Sequence, residues 1–418
     1  MSDDKTIREP ARNLSVAAQY DVVVAGGGIA GAAAAVAAAR RGVSVCLLEK
    51  ESALGGLATL GNVTVWLPIC DGMGHQVVGG IGEEMLRLSV RDLEQDNREA
   101  RFAKVPACWE PGGDFEHRKK TRFRVNFNPG SYLLALEEWL QEAGVSLWYD
   151  TRLCAVRRQG EHLTHAIVEN KSGRLAVAGK FFLDTTGDAD LCHLAGEQTE
   201  TLDSNVVCSW FYYVLDGRLH LQPFSNPYSP QMTRAGGVGP FFRGDDGEQV
   251  SQMILGSREL LRRQWRRIQQ QHPDSEVQPF APPTIACFRA TRRLVGRFSL
   301  ARQHRHQWFE DTVALTGDWR RCGPVYAIPW RALCGVRNRN LAVAGRCFSV
   351  DTSIWDCTRA IPTCAVTGEA VGAGAALATI VGATDLPDLP VGRLQQDLRD
   401  HDGILDPRRV TKADSQPD

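Results

Sequence analysis

No two of the twelve cysteines stand in a CxxC pair, and no close-spaced set of the kind that holds zinc or an iron–sulfur cluster occurs. A redox dithiol of the usual spacing is thereby excluded, which leaves structural thiols in a reducing compartment. Cys46 and Cys154 fall inside apolar strand patterns and are expected to be buried. The ten histidines include no HExxH, and His304 and His306 have no further ligand near them in sequence, so no metal site is expected. An excess of either charge is also lacking: 48 basic residues face 49 acidic ones, and pI is about 6.8. No global field therefore points toward nucleic acid or a membrane surface. The first ten residues carry no apolar stretch of signal-peptide type. The longest apolar candidate, Ala370 to Thr384, holds three glycines and reads as a packed core helix rather than a membrane span. A cytoplasmic protein is the expectation. At 418 residues the chain exceeds one simple core, so two associated domains are expected.

What is present is most informative at residues 21–49. Asp21-Val-Val-Val-Ala-Gly26-Gly-Gly28-Ile-Ala-Gly31 is followed by an alanine-rich stretch and then by Val43-Ser-Val-Cys-Leu-Leu-Glu49. This is strand, glycine turn, helix, strand and acidic residue, the layout of a dinucleotide-binding unit. Gly26 makes the tight turn, Gly28 lets a pyrophosphate approach the backbone, and Gly31 lets the helix pack on the strand. The helix starting near Ile29, with Ala30 and Gly31 in its first turn, aims free N–H groups and a positive dipole end at the phosphates. Glu49 accepts from ribose hydroxyls and repels a 2′-phosphate, which disfavours NADP and leaves FAD or NAD.

The next residues decide between these two. Lys50-Glu-Ser-Ala-Leu-Gly55-Gly56-Leu57 places a second glycine pair just beyond the acidic residue. It resembles the loop that flavoproteins of the glutathione-reductase type wrap around the FAD ribose and pyrophosphate. Leu153-Cys-Ala-Val-Arg, and then Lys180-Phe-Phe-Leu-Asp184-Thr-Thr186-Gly187-Asp188, resemble their meander and the turn that returns to the dinucleotide. Leu341-Ala-Val-Ala-Gly345-Arg346 resembles their late strand, and Ile361-Pro362-Thr363-Cys364 the helix whose N-terminus faces the flavin. Together with Arg289-Ala-Thr-Arg292 and Tyr326-Ala-Ile-Pro-Trp330, these segments resemble the FAD-dependent oxidoreductase family allied to fumarate reductase and heterodisulfide reductase flavoproteins. The resemblance spans about residues 18 to 382. It implies FAD as cofactor, held by the glycines and by Ile29, Ala30, Glu49, Lys50, Leu57, Leu153, Thr186, Asp188, Arg346, Pro362, Thr363 and Cys364.

The fold expected is α/β: an FAD-binding Rossmann-like domain, with parallel sheet and β-meander, and a discontinuous α+β substrate domain. Residues 1–19 are expected to be a disordered leader. Residues 20–59, 126–199 and 326–384 are assigned to the FAD domain, 60–125 and 200–325 to the substrate domain, and 385–418 to a short helix and tail. Helices are expected near Gly82 to Arg91, from Ser131 as N-cap to Ala143, and around Glu259 to Gln269. The last carries arginines 262, 263, 266 and 267, which form either a solvated face or a contact for an acidic partner. Gly236-Gly-Val-Gly-Pro240 leads into Phe-Phe without a helical pattern, so no dedicated nicotinamide domain is expected.

Catalytic candidates follow from the resemblance. Arg289 and Arg292 are placed to clamp a substrate carboxylate, or else to pair with surface acids. His75 is either a proton donor or a satisfied loop histidine. Cys347 is either a reactive thiolate beside the ring or a buried inert thiol, and Arg359 precedes the flavin-facing helix. The expected activity is hydride transfer between FAD and a small, anionic molecule, by dehydrogenation or double-bond reduction. The alternatives are an FAD monooxygenase using NAD(P)H and an RNA-modifying flavoprotein, although neutral pI counts against nucleic acid. No membrane partner is expected, and homo-oligomerisation is left open.

Overall fold

The computed structural model describes residues 7–92 and 104–411. The first six residues of the expected leader, part of the 60–125 excursion and the end of the tail lie outside these. The first strand, β1 (Val16–Ala25), begins before Tyr20 because its first residues find partners on a strand much later in the chain. Its residues Val16–Tyr20 register against Ala176–Gly179. After β1 come α1 (Ile29–Ala39) and β2 (Val45–Leu48), then a two-residue strand β3 (Val65–Trp66) and α2 (Ile81–Val90). Next are α3 (Phe115–Lys120), β4 (Val125–Asn126), α4 (Pro129–Glu142) and β5 (Ser146–Trp148). A meander follows: β6 (Arg152–Gln159), β7 (His162–Asn170) and β8 (Gly173–Asp184).

One sheet joins both halves of this unit, in the order β5, β2, β1, β8, β7, β6, with the late strand Leu341–Val343 also on β8. The long β8 makes this possible. Residues Gly173–Ala178 pair antiparallel with β7, while Phe182–Asp184 pair parallel with Leu341–Val343. Parallel strands covered on both faces read as unbroken apolar runs, and Val22, Val23 and Val24 are fully buried.

Two helices are apolar all round, which is the signature of a helix with no solvent face. These are α1, whose Ala32 to Ala38 are all 0 % exposed, and the later Ile361–Val381 helix. The latter, α8, starts nine residues before the apolar run noted in the sequence and has the length and composition to cross a membrane, yet it is mostly buried within the molecule. The short α5 (Asp190–Leu194), the long α6 (Gly247–Gln271) and α7 (Thr352–Thr358) precede it in the chain. A Cβ added at Gly368 would lie 2.2 Å from Ala30 O, and one at Gly372 would lie 2.1 Å from Ala34 O. Glycines four apart share one helix face. They bring α8 backbone to backbone against α1.

Helix α4 begins at Pro129, not at Ser131. Asn128 is its N-cap, accepting from the Gly130 and Ser131 N–H groups at 2.8 and 3.3 Å, and Pro129 sits where a missing N–H costs nothing. Helix α2 packs on α8, with Gly82 against Val366, so this part of the 60–125 excursion covers the FAD-side helices. The C-terminal helix α9 (Val391–Asp400) also packs on α8. The segment beyond Pro407 is ordered as far as it is described. Val410 is fully buried, and its carbonyl lies 2.8 Å from His306 Nδ1.

The second region is an antiparallel sheet, Arg218–Ser225, Cys208–Leu215 and Val277–Ala281, backed by α6. Asp216 and Gly217 form its hairpin turn, both with positive φ, the conformation Asp-Gly supplies. Trp265 of α6 meets Phe211 edge to face at 5.6 Å, while Arg262, Arg263, Arg266 and Arg267 line the exposed side. The Gly236–Gly239 segment is a turn running into the strand Phe241–Phe242. Cys46 is buried as expected, but Cys154 is half-exposed because its position on β6 faces out of the meander.

Candidate active site

The site is built where β1 ends. Gly26 has φ +103°, which turns the chain sharply out of the strand. A Cβ at Gly31 would sit 1.8 Å from Gly26 O, so only glycine lets α1 start against that turn. Gly28 is different: a Cβ there meets nothing within 4 Å, which leaves the backbone open on the side where the helix begins. Gly28 is the N-cap of α1, no side chain caps it, and the first turn holds no acid. The N–H groups of Ile29, Ala30 and Gly31 therefore stay available to an anion.

Glu49 closes this cradle. It is 7 % exposed; Oε2 accepts from Gly27 N–H at 2.6 Å and Oε1 from Glu51 N–H at 2.8 Å. Burial raises its pKa against the lowering pull of those two donors. Each carboxylate oxygen keeps a lone pair for a ribose hydroxyl. The Gly55–Gly56 turn folds back over the first one. Gly55 N–H donates to Gly27 O at 2.8 Å, and a Cβ on Gly56 would touch Gly28 Cα at 3.4 Å. Leu57 continues from that turn into the second apolar cluster, with Val207, Cys208 and Phe288. Lys50 is exposed beside Glu49, and Leu153 lies two residues past Thr151, whose N–H donates to Glu49 O at 2.9 Å.

The end of β8 supplies the next wall. Thr185 Oγ1 donates toward Ala25 O and Gly26 O, both at 2.8 Å, pinning the glycine turn. Asp184 is fully buried and accepts from Thr186 N–H, Thr186 Oγ1 and Cys192 N–H, which shapes the turn itself. Beyond Gly187, Asp188 pairs with Arg346 at 2.7 Å. Arg346 also donates to Phe288 O at 2.6 Å, so this pair joins the FAD-side turn to the second region.

Gly345 is the junction. Its N–H donates to Thr367 Oγ1 of α8 at 3.1 Å; a Cβ on it would lie 2.9 Å from Ala30 Cβ and 3.9 Å from Cys364 Sγ. The N-termini of α1 and α8 thus meet at one residue. The α8 terminus is likewise uncapped and free of acid in its first turn. Cys364 N–H already donates to Ala360 O at 3.0 Å, so the free donors are those of Ile361 and Thr363, Pro362 having none. Thr363 Oγ1 is 2.7 Å from Thr316 Oγ1, which fixes that first turn from the neighbouring strand.

The catalytic candidates separate on inspection. Arg292 is committed: Nε donates to Asp188 O at 3.0 Å and Nη2 pairs with Asp190 at 2.7 Å, so it braces the turn and is not free to clamp a substrate. Partial burial, with the like charges of Asp188 and Asp184 beside it, pushes Asp190 up to about 6. Cys347 is fully buried with its thiol 3.5 Å from Ala344 O, and burial holds its pKa well above the usual thiol range. It points into the core, the inert alternative. His75 pairs with Asp71 at 3.2 Å, meets Phe115 edge-on at 5.2 Å and lines an open cleft with Gly403 to Arg409. None of the residues lining that cleft belongs to the glycine turns or α8. Arg359 caps α7 just before α8 and pairs with the buried Asp356.

Arg289 stands apart. Its guanidinium lies over the Tyr228 ring at 3.6 Å, its Nε is enclosed without a partner, and among the described residues no carboxylate pairs with it. Burial and the neighbouring Arg359 charge both lower its pKa. Tyr228, Thr185 and the Gly368–Gly372 pair carry no motif of their own, although the four-residue glycine spacing on an apolar helix was a usable signal.

The residues present fit FAD. Two uncapped helix N-termini, an open glycine face and a buried ribose-facing carboxylate form the donor and acceptor set that a dinucleotide requires. No curated protein sequence matches the chain. Among solved structures, a geranylgeranyl bacteriochlorophyll reductase-like protein from Thermoplasma acidophilum is 12 % identical over 92 % of this chain and 84 % of its own, with a TM-score of 0.43. The p-nitrophenol 4-monooxygenase of Pseudomonas putida is 13 % identical over 87 % and 81 %, with a TM-score of 0.44. A myxobacterial chondrochloren halogenase is 15 % identical over 92 % and 79 %, also with a TM-score of 0.44. The model of the FAD dependent oxidoreductase family matches residues 21–205 and 243–398, so the chain belongs to that family and is an FAD-dependent oxidoreductase.

Proposed function

We propose that this oxidoreductase moves a hydride between FAD and a small molecule held between the FAD-side layer and the second region. Dehydrogenation, or the reverse reduction of a double bond, is the reaction class. The observation that carries the reading is the meeting of the α1 and α8 N-termini at Gly345, with Phe288 and Arg346 tying the second region to the same point. FAD supplies the two-electron chemistry when bound. The α1 terminus would hold its pyrophosphate and Glu49 its ribose. The Ile361 and Thr363 N–H groups, with Arg359 close behind in sequence, would supply positive potential to the negative charge of a reduced ring. Leu57 and the Val207–Phe288 cluster exclude water from one side.

The electron donor we propose is the substrate itself rather than a nicotinamide. The course of Gly236–Gly239, a turn into a strand instead of a strand–turn–helix, supports this. Anaerobic addition of NADPH and then NADH to the purified flavoprotein tests it. The oxidised flavin band should persist under both. Rapid bleaching by either would overturn the reading in favour of a reductase or monooxygenase cycle driven by nicotinamide.

A further inference from the structure

Arg289 is a half-buried charged group to which no described residue gives a paired counter-charge. A guanidinium carries five N–H donors and no acceptor, and an enclosed one is ordinarily met by a carboxylate or by carbonyl oxygens. The other inward-facing arginines of the region obey this. Arg346 has Asp188 and Phe288 O, Arg292 has Asp190 and Asp188 O, Arg320 has Asp318, and Arg359 has Asp356. Among the described residues Arg289 has the face of Tyr228 and no ion pair, and the charge that acts most strongly on it is the like charge of Arg359. Asp356 acts on it only at a distance, because Asp356 and Asp318 are paired with Arg359, Arg320 and Arg321.

Stacking fixes the plane. A guanidinium lying on a ring at 3.6 Å cannot tumble, so its donors are aimed along the edge. Nε is the enclosed atom without a partner, and neither Nη is enclosed in that way. The Nη edge therefore faces accessible space, with the uncapped start of α8 two residues beyond Arg359. A guanidinium fork and a second arginine, which itself precedes the uncapped start of α8, supply positive potential, and among the described residues no acid pairs with the fork.

We infer that the substrate is a carboxylate and that Arg289, held flat by Tyr228, is the residue that selects it. This rests on the proposed oxidoreductase reading and adds the substrate class to it. Arg359 acts as the second cation, while its own pairing with Asp356 keeps it in place. A neutral substrate of the same shape would cover the open edge of Arg289 and leave it unmatched, which is the larger part of the discrimination.

The test uses the FAD-loaded protein and simple probes at constant ionic strength. Benzoate, acetate and oxalate are titrated against the visible flavin spectrum, with benzamide and acetamide as neutral counterparts and inorganic sulfate as a tetrahedral anion. At least one carboxylate should give a saturable difference spectrum that its amide does not. In Arg289→Gln the dissociation constant should rise about 10- to 100-fold, as expected for loss of a charge-assisted pair. Arg289→Lys should recover part of the affinity, and both variants should keep parental FAD content. Silence of all three carboxylates, equal titration of Arg289→Gln and parent, or response to sulfate alone would overturn the inference. So would loss of FAD from Arg289→Gln, because the arginine would then belong to the cofactor. Failure of the reading it rests on looks different: rapid bleaching of the parent protein's flavin by NADPH or NADH, whatever the anions do.

Discussion

Alanine at position 372 puts a methyl group 2.1 Å from Ala34 O, about 1 Å inside normal contact, with a helix backbone on each side. Neither backbone can rotate away as a side chain would, so α8 must lift from α1. Overpacking of a close-packed interior costs about 1–3 kcal/mol, and a contact against backbone belongs at the upper end. Against this, alanine is favoured over glycine inside a helix by about 1 kcal/mol. The net expectation is a loss of about 1–2 kcal/mol, seen as a fall of about 1–2 degrees in the unfolding midpoint of a chain this long. Gly392→Ala in α9 is the control, since a Cβ there meets nothing within 4 Å and only the propensity gain applies. Because Gly345 joins the starts of both helices, Gly372→Ala should also retain less FAD through purification. Thermal unfolding and the ratio of flavin to protein absorbance read both effects. A Gly372→Ala protein as stable as Gly392→Ala, with full flavin, would refute the claim that this glycine face sets the distance between the two helix N-termini.

Other expectations follow from single side chains. Glu369 of α8 is 3 % exposed, accepts from Ile81 N–H at 3.2 Å, and is pushed up to about 8 by burial, with Arg41 lowering it and Glu84 and Asp397 raising it. Its folded pKa lies above the ordinary carboxylate value, so its contribution to stability is full at low pH and is lost as pH rises through about 8. Glu369→Gln should flatten the midpoint-versus-pH curve between about pH 5 and 8 and exceed the parent above it; an unchanged slope would contradict the assignment. Arg292→Ala removes the partner of Asp190 beside two more carboxylates, and should cost about 1–3 kcal/mol, the half-exposed Asp190 keeping it below a fully buried pair. Urea denaturation measures that loss, and a value within error of zero would remove Arg292 from the bracing role. Cys347→Ala should leave the visible flavin spectrum unchanged from pH 6 to 9, whereas loss of a long-wavelength band would make the thiol a neighbour of the ring.

The dinucleotide half was legible because each of its parts is local. A glycine turn, an apolar run and an acid at a strand end can all be read within 30 residues, and Gly26, Gly28, Gly31 and Glu49 stand in the geometry their spacing implied. The Asp184 turn and the Gly345 strand end were legible through the family resemblance. The start of β1 was missed because Val16–Tyr20 alternate weakly, and only pairing with Ala176–Gly179 holds them. The α4 cap was misplaced because Ser131 and Asn128 both suit the position, and Pro129 decides for the earlier one. Roles of arginines were the least legible. Arg289 and Arg292 sit three apart in one segment, and what separates them is partners distant in sequence: Asp190 for one, Tyr228 for the other.

The most direct test of the central claim is a titration of deflavinated protein with FAD and, separately, with FMN, followed by flavin fluorescence. If Glu49 and the α1 terminus hold the adenosine half, FAD should bind with one site per chain, FMN at least about 100-fold more weakly, and ADP should compete with FAD. Equal affinity for FMN, with no competition by ADP, would contradict the dinucleotide site on which the whole account stands.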